Sequence, residues 1–569
     1  MSTIREIKLV TRYFPLSLAL ITIFVSTGIG PDPVNLPKLT LMVISVMFFF
    51  GLSYKNIYLN SQSNKKLFYI TIAFLIGLIF SLILGQSNWI TNFYGTWARN
   101  TGALTYLMLV LIFLISSSIN EKKFIHNTLL ALYFAGIVNL SYAVLYAWWG
   151  KDIIAWNNRY DKFLSTLGNP NFGSSFLALA YAVGLYYVLD ASVKKKYRMI
   201  AFLLSPGFIF AIISTGSLQG LLLVAISTGL YGYSIFVKRI RSKLVKISGL
   251  FGLFIISIFS VLGMLQIGPL QNYLYKPSVS IRGAYWRAAW RMFESSPIYG
   301  LGLDSYGNFY RRNRDLAALN IPGVDVVTDS AHNVFLDLLA GGGALIFIPY
   351  VLLQILVACK LIQIYRYKND DTWLPIALGI TWVCWLSQSI ISINQIGLAI
   401  WGWVIPGTII AYERILKQKS ILEYKQSYLN KSKSHHLKSQ KLNQNITAKS
   451  FAVSTFTSLI GILLILPVQT AEARWQSALR TKSVEKIMKA ADQWPRSCGR
   501  YMLTYNIFAG TDLTQEALTL LLRCRDINSD FFTAHFLLTQ FSWSKKELEQ
   551  IYSELHRLDP LNPAYANNK

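Results

Sequence analysis

The chain has 569 residues, 53% of them hydrophobic and only 14% charged, with a formal net charge of +27. Soluble proteins carry about 25% charged residues, so this composition excludes an ordinary globular enzyme and predicts an all-α, polytopic helical membrane protein. The positive charge does not point to nucleic acid. Lys and Arg gather in short segments at alternate ends of apolar runs, the pattern that orients membrane helices and meets anionic lipid.

In chain order, thirteen apolar runs centre near residues 20, 46, 76, 110, 138, 181, 207, 227, 257, 348, 383, 404 and 460. About 20 apolar residues suffice to cross a bilayer as a helix, so the runs predict 12–13 transmembrane helices. The first, from Tyr13 to Gly28, lacks a small-residue cleavage site and reads as a retained span. With the N-terminus inside, the inner segments hold Arg5, Lys8 and Arg12, Lys194 to Lys196, and Lys238 to Lys246. They carry more than twice the Lys and Arg of the outer segments. Stretches 86–101, 150–171, 214–219 and 267–330 then share the outer side.

This divides the chain into a membrane domain, 1–413, containing a long outer loop, 267–330, and a basic linker, 414–449. The linker is too polar to fold alone and is expected in the cytoplasm. A last membrane helix, 450–469, delivers an extracytoplasmic tail, 470–569. Helical spacing in the tail is broken at Pro495, Gly510 and Pro560, and its ending LDPLNPAY resembles the boundary of a tetratricopeptide repeat. A TPR-like helical domain suited to packing or protein contacts is the expectation. Of four cysteines, Cys359 and Cys384 fall in or beside apolar runs, while Cys498 and Cys524 pair as a disulfide if the tail is extracytoplasmic.

Chemistry concentrates in the long loop. Ile281 to Phe293 predicts a helix with Trp286 and Trp290 four apart on one face, and Arg287 and Arg291 on another. Such a helix either rests on lipid headgroups or turns its guanidinium groups toward phosphate. Arg282, just before it, has a planar fork suited to a diphosphate, or else to a headgroup. His332, beside Asn333 at the next span, is a structural hydrogen-bonder or a base for an attacking hydroxyl.

Elsewhere, Asn169 and Asn171 in GNPNFGSS offer amides at a helix start, and Ser217 and Gln219 lie in STGSLQGLL, where tight-turn chemistry is the plainer account. Arg99 and Arg159 add two outward cations. There is no phosphate-binding glycine loop, zinc signature or nucleophile elbow in the sequence. Chemistry without metal or cofactor is the expectation.

The motifs IRGAYWRAAWRMFESSPIYGLGLDSYG and DSAHNVFLDLLAGGGALIF, with GNPNFGSSFLALA and ISTGSLQGLLL as weaker matches, resemble the O-antigen ligase and polymerase superfamily of bacterial envelope enzymes. The resemblance covers about residues 95–410 and leaves the tail outside. It implies inverting, metal-independent glycosyl transfer at the outer face of the cytoplasmic (inner) membrane. The donor would be a glycan on undecaprenyl diphosphate, and the acceptor a glycan or lipid-linked sugar. On this resemblance Arg282 holds the diphosphate, and His332 deprotonates the acceptor or orients the diphosphate. Many ligases carry Arg after Ser in the turn that here reads Ser217-Leu218-Gln219. Arg99, Arg159 or Arg287 would then substitute, or the donor is held differently. A lipid-linked glycan transporter is the competing class, but transporters place ionisable groups near the midplane, whereas here they gather at the rim. A non-catalytic scaffold acting through its tail is a third reading.

Overall fold

The computed structural model describes residues 4–28, 30, 32–154, 156, 158, 160–264, 267–274, 277–367, 373–429 and 448–566. Among these every regular element is a helix. The chain begins with α1 (Ile4–Ile23), α2 (Asn35–Ser63), α3 (Lys65–Leu84), α4 (Trp89–Tyr94) and α5 (Ala103–Ser118). It continues with α6 (Lys122–Trp149), α7 (Pro170–Leu189), α8 (Lys195–Ser214), α9 (Leu218–Arg239) and α10 (Lys243–Met264). The long loop holds α11 (Gln271–Leu274), α12 (Pro277–Ser295), α13 (Tyr306–Asn313) and α14 (Leu316–Ala318). Next come α15 (Val334–Ile364), α16 (Leu374–Ser389), α17 (Ile396–Leu429) and α18 (Ala448–Thr481). The tail folds as α19 (Val484–Ala491), α20 (Cys498–Phe508), α21 (Thr514–Ile527), α22 (Phe532–Leu538), α23 (Lys545–Leu558) and α24 (Pro563–Ala566). Half of the expected linker, 430–447, lies outside the described residues, as does Arg159.

Nine helices among the described residues, α2, α3, α6 to α9, α15, α17 and α18, are long and apolar enough to cross a membrane. Nine of the thirteen expected runs are thus met by helices of spanning length, and the other four fall on α1, α5, α10 and α16. α5 and α16 have 16 residues each; at ~1.5 Å per residue they reach only about 24 Å of a roughly 30 Å hydrocarbon layer. α1 carries Arg5, Glu6, Lys8 and Arg12 along its first half. α10 is apolar, but several of its side chains are outside the described residues.

The two short helices mark the centre. α5 is buried along nearly its whole length, and the apolar window of α17 is wholly buried. Trp385 of α16 packs on α17, and Trp403 of α17 packs against Phe113 of α5. Gly402 makes that packing feasible, because a Cβ there would lie 1.8 Å from Trp385 Cε2. By contrast α8, α9 and α18 bury only 22% of their apolar windows, as helices bordering lipid do.

One irregularity positions the long loop. α15 is broken at Gly343, with φ +59 and ψ −164, a conformation that strongly favours glycine. The turn Pro297–Gly302 lies against this break and bonds to it like a strand. Leu301 N donates to Ala340 O (3.0 Å), Gly302 N to Gly341 O (2.9 Å), Ala344 N to Pro297 O (2.8 Å) and Leu345 N to Ile298 O (3.1 Å). A Cβ at Gly343 would meet Ile298 O at 2.5 Å. The backbone groups freed by the break are thus paired inside protein, where irregular backbone at membrane depth is tolerated. Above it α12, α13 and the start of α15 close over a small core of Tyr285, Ala288, Met292, Phe309, Tyr310 and Ala331.

α18 has 34 residues, about 51 Å at ~1.5 Å per residue, so it exceeds a bilayer and carries Trp475 into the tail. There Trp475, Tyr501, Leu520, Leu521 and Leu555 form a separate core, and Cys498 is disulfide-bonded to Cys524. The tail sits against the long loop. Asp559 accepts from Arg314 (2.7 Å) and Arg311 (3.0 Å), Asp530 lies 3.5 Å from Arg312, and the Arg311 guanidinium lies over the Phe532 ring at 4.1 Å.

Candidate functional site

The expected helix over Ile281–Phe293 lies within α12, and burial divides its faces. Ala284, Tyr285, Ala288, Ala289 and Met292 are buried, while Trp290 and Arg287 point outward. Trp286 is half-buried, with its Nε1 unpartnered, and Trp290 Nε1 donates to Glu294 (2.8 Å). Two of the three arginines of α12 are engaged. Arg287 pairs with Asp315 (2.5 Å), and Arg291 donates to Arg314 O (3.1 Å). Arg282 has no hydrogen-bond or ion-pair partner among the described residues. Burial holds its pKa below the ordinary guanidinium value, against an opposing pull from Tyr285.

His332 lies within electrostatic reach of this cation. Its ring stacks on Tyr285, with centroids 5.9 Å apart and planes 26° apart. Burial first, and then the Arg282 charge, push its pKa down to about 4, while Asp329 pulls the other way. The imidazole is therefore neutral at pH 7 and able to take a proton. Its backbone is held at φ +51, an uncommon region for a residue other than glycine. A dense set of bonds sustains that conformation. His332 N donates to Ser330 Oγ (3.1 Å), Ala331 N to Asp337 Oδ1 (2.7 Å) and Thr328 Oγ1 to Ser330 O (2.8 Å). Asn333 caps α15 by accepting from Phe335 N (3.0 Å) and Leu336 N (3.2 Å). Asn333 thus serves the helix start through its side-chain oxygen.

Arg99 anchors the same turn. It donates to Asp329 O (2.6 Å) and lies 3.2 Å from the Asp329 carboxylate and 3.0 Å from Asp304. Asp304 in turn accepts from Thr96 N (2.8 Å) and Thr101 N (3.0 Å). Arg99 holds the Asp329 carboxyl below the usual carboxylate range. Its guanidinium is thus committed to protein groups.

The remaining candidates form a second group. Asn169 caps α7 by accepting from Asn171 N (2.9 Å) and donates to Tyr160 Oη (3.2 Å). Ser217 Oγ donates to Asn171 Oδ1 (2.7 Å) and caps α9 by accepting from Gln219 N (3.3 Å). Gln219 is buried, with its Nε2 unpartnered. Among the described residues no hydrogen bond or ion pair joins this group to the one around His332.

The sequence reading did not single out Asp304, Asp329, Asp337 or Tyr285. Two signals were present, namely the Asp-Ser-Ala-His run and the Asp that closes GLGLD.

No curated protein and no solved structure matches the chain. Residues 171–351, from the start of α7 through the broken part of α15, match the family described as O-antigen ligase. That segment contains Arg282, His332 and the glycine break that seats the loop between them, and the match over it supports a relation to the O-antigen ligase superfamily.

Proposed function

We propose that the chain is an inverting, metal-independent membrane glycan ligase that takes its glycan from undecaprenyl diphosphate. One juxtaposition supports the reading: the His332 imidazole, which burial and the Arg282 charge keep neutral, lies near a guanidinium that has no partner among the described residues. Arg282 neutralises the diphosphate, which leaves with the electron pair of the broken anomeric C–O bond. The acceptor hydroxyl attacks the anomeric carbon from the opposite side, forming the new C–O bond, and its proton passes to His332. Trp286, Trp290 and Arg287, at the outer edge of α12, suit contact with lipid headgroups and the lipid chain of the donor.

The reading includes a multi-pass protein of the bacterial inner membrane with the loop and the tail on the extracytoplasmic side. The disulfide supports that side, since such bonds persist in oxidising compartments. The tail is read as a TPR-like helical domain. Polymerisation uses the same two residues and differs only in the acceptor, a second lipid-linked glycan. Envelope glycan profiling of Arg282→Ala tests the reading, with loss of transfer expected at unchanged membrane insertion. Full transfer in that variant would overturn it. In a deletion strain, loss of all capped product marks a ligase, and single-repeat products mark a polymerase.

A further inference from the structure

Between the loop 88–100, α18 and the tail lies a cleft of about 280 Å³ that the chemistry above does not use. It is near the lower end of the roughly 300–1,000 Å³ range of small-molecule sites. One wall comes from the membrane domain and the other from the tail on either side of the Cys498–Cys524 bond. Tyr94, Trp97 and Phe531 supply aromatic surface, and Asn100, Asn308 and Glu472 supply polar groups. One of these polar groups is unsatisfied: Asn100 Oδ1 has no hydrogen-bond partner, although the residue is only 5% exposed. The Glu472 carboxylate is met by the Trp97 side chain and by Arg500. A buried acceptor left unpaired is costly, and Asn100 requires a donor.

Charge narrows what that donor belongs to. Glu472 is already balanced by Arg500 (3.2 Å), and the nearby Arg496 by Asp492 (3.2 Å). The cleft therefore has no free cation to attract phosphate or carboxylate. Aromatic faces with uncharged amides and the unpaired Asn100 acceptor suit a ring bearing hydroxyls on its edge and C–H groups on its face. The cleft also adjoins the reacting turn. Asn308 follows Gly307, where a Cβ would lie 3.2 Å from Asp329 Cα, and the stretch from Gly95 to Asn100 leads to Arg99.

We propose that this cleft is a saccharide subsite, holding one or two rings of a neutral, hydroxyl-rich sugar of the acceptor and built jointly by the membrane domain and the tail. Its acceptor role rests on the glycan-transfer reading, whereas saccharide binding as such does not. The test uses the full-length protein in lipid nanodiscs and saturation-transfer NMR with a panel of neutral di- and trisaccharides. At least one member should bind the wild type. Asn308→Trp, which fills the cleft, should abolish the signal, and Asn308→Ala should weaken binding by about tenfold while the disulfide and the melting temperature are retained. His332→Ala should bind the saccharide as the wild type does. Absence of binding by the whole panel, or equal binding by wild type and both Asn308 variants, would overturn the subsite. If binding behaves as expected but Arg282→Ala still transfers glycan, the subsite stands and the transferase reading fails.

Discussion

The Arg314 guanidinium donates to both carboxylate oxygens of Asp559 at 2.7 Å, across 245 residues of chain, and neither side chain reaches solvent. The long loop and the end of the tail are therefore joined by a buried ion pair, which Arg311 reinforces from the side. Such pairs contribute little net stability while intact, yet removing one partner strands a buried charge at a cost of about 3–5 kcal/mol. Asp559→Ala should accordingly lower the melting temperature and open the interface to protease between α13 and α23. The double variant Arg314→Met with Asp559→Leu should recover much of the loss. If Asp559→Ala melts and digests like the wild type, the tail is not held in this way.

The state of His332 gives a pH dependence of defined sign. An unperturbed histidine titrates near 6.5, whereas burial and Arg282 bring this one down to about 4. Proton acceptance needs the neutral ring, so kcat/KM should stay level as pH falls through 6.5 and decline only on approaching 4. Arg282→Gln removes one of the lowering charges, and an NMR titration of His332 should then move upward. An acid limb centred near 6.5 in the wild type would contradict the assignment.

How much of this was legible in the sequence varies with the range of the interaction. α12 and its amphipathic division follow from local spacing, whereas the break at Gly343 lies inside a run that reads as one uninterrupted span. Helix length was less legible, because hydropathy alone does not show that the apolar runs at α5 and α16 form helices of only 16 residues. Pairing was least legible. The sequence shows Arg99 as one outward cation among several, and nothing local reveals that Asp329, 230 residues away, receives it. Free and engaged arginines look alike in a sequence, yet in space only Arg282 of α12 lacks a partner among the described residues.

Arg99 therefore has a different expected phenotype from Arg282. It fixes the turn that carries His332 and acts through it as a positioning residue. Arg99→Ala should lower kcat by roughly 10²-fold through misplacement of the imidazole, with the donor KM little changed. Arg99→Lys should not rescue, because an ammonium cannot span Asp304 and Asp329 as the planar fork does. A raised donor KM at unchanged kcat would instead mean that Arg99 contacts the donor directly.

The bond between Cys498 and Cys524 tests both the tail's stability and its side of the membrane. It closes a sequence separation of 26 residues between α20 and α21, and removing such a crosslink costs about 2–4 kcal/mol. Cys498→Ala should destabilise the tail core around Tyr501 and Leu520 and leave the membrane bundle folded. In intact cells a membrane-impermeant thiol reagent should leave both residues unlabelled until a reductant is added, and label both afterwards. The protein should also migrate faster on a non-reducing gel. Labelling without reductant would show free thiols, and labelling only after the membrane is breached would put the tail in the cytoplasm. Because Arg314 and Asp559 tie the tail to the loop, that second outcome would move Arg282 and His332 to the cytoplasm with it.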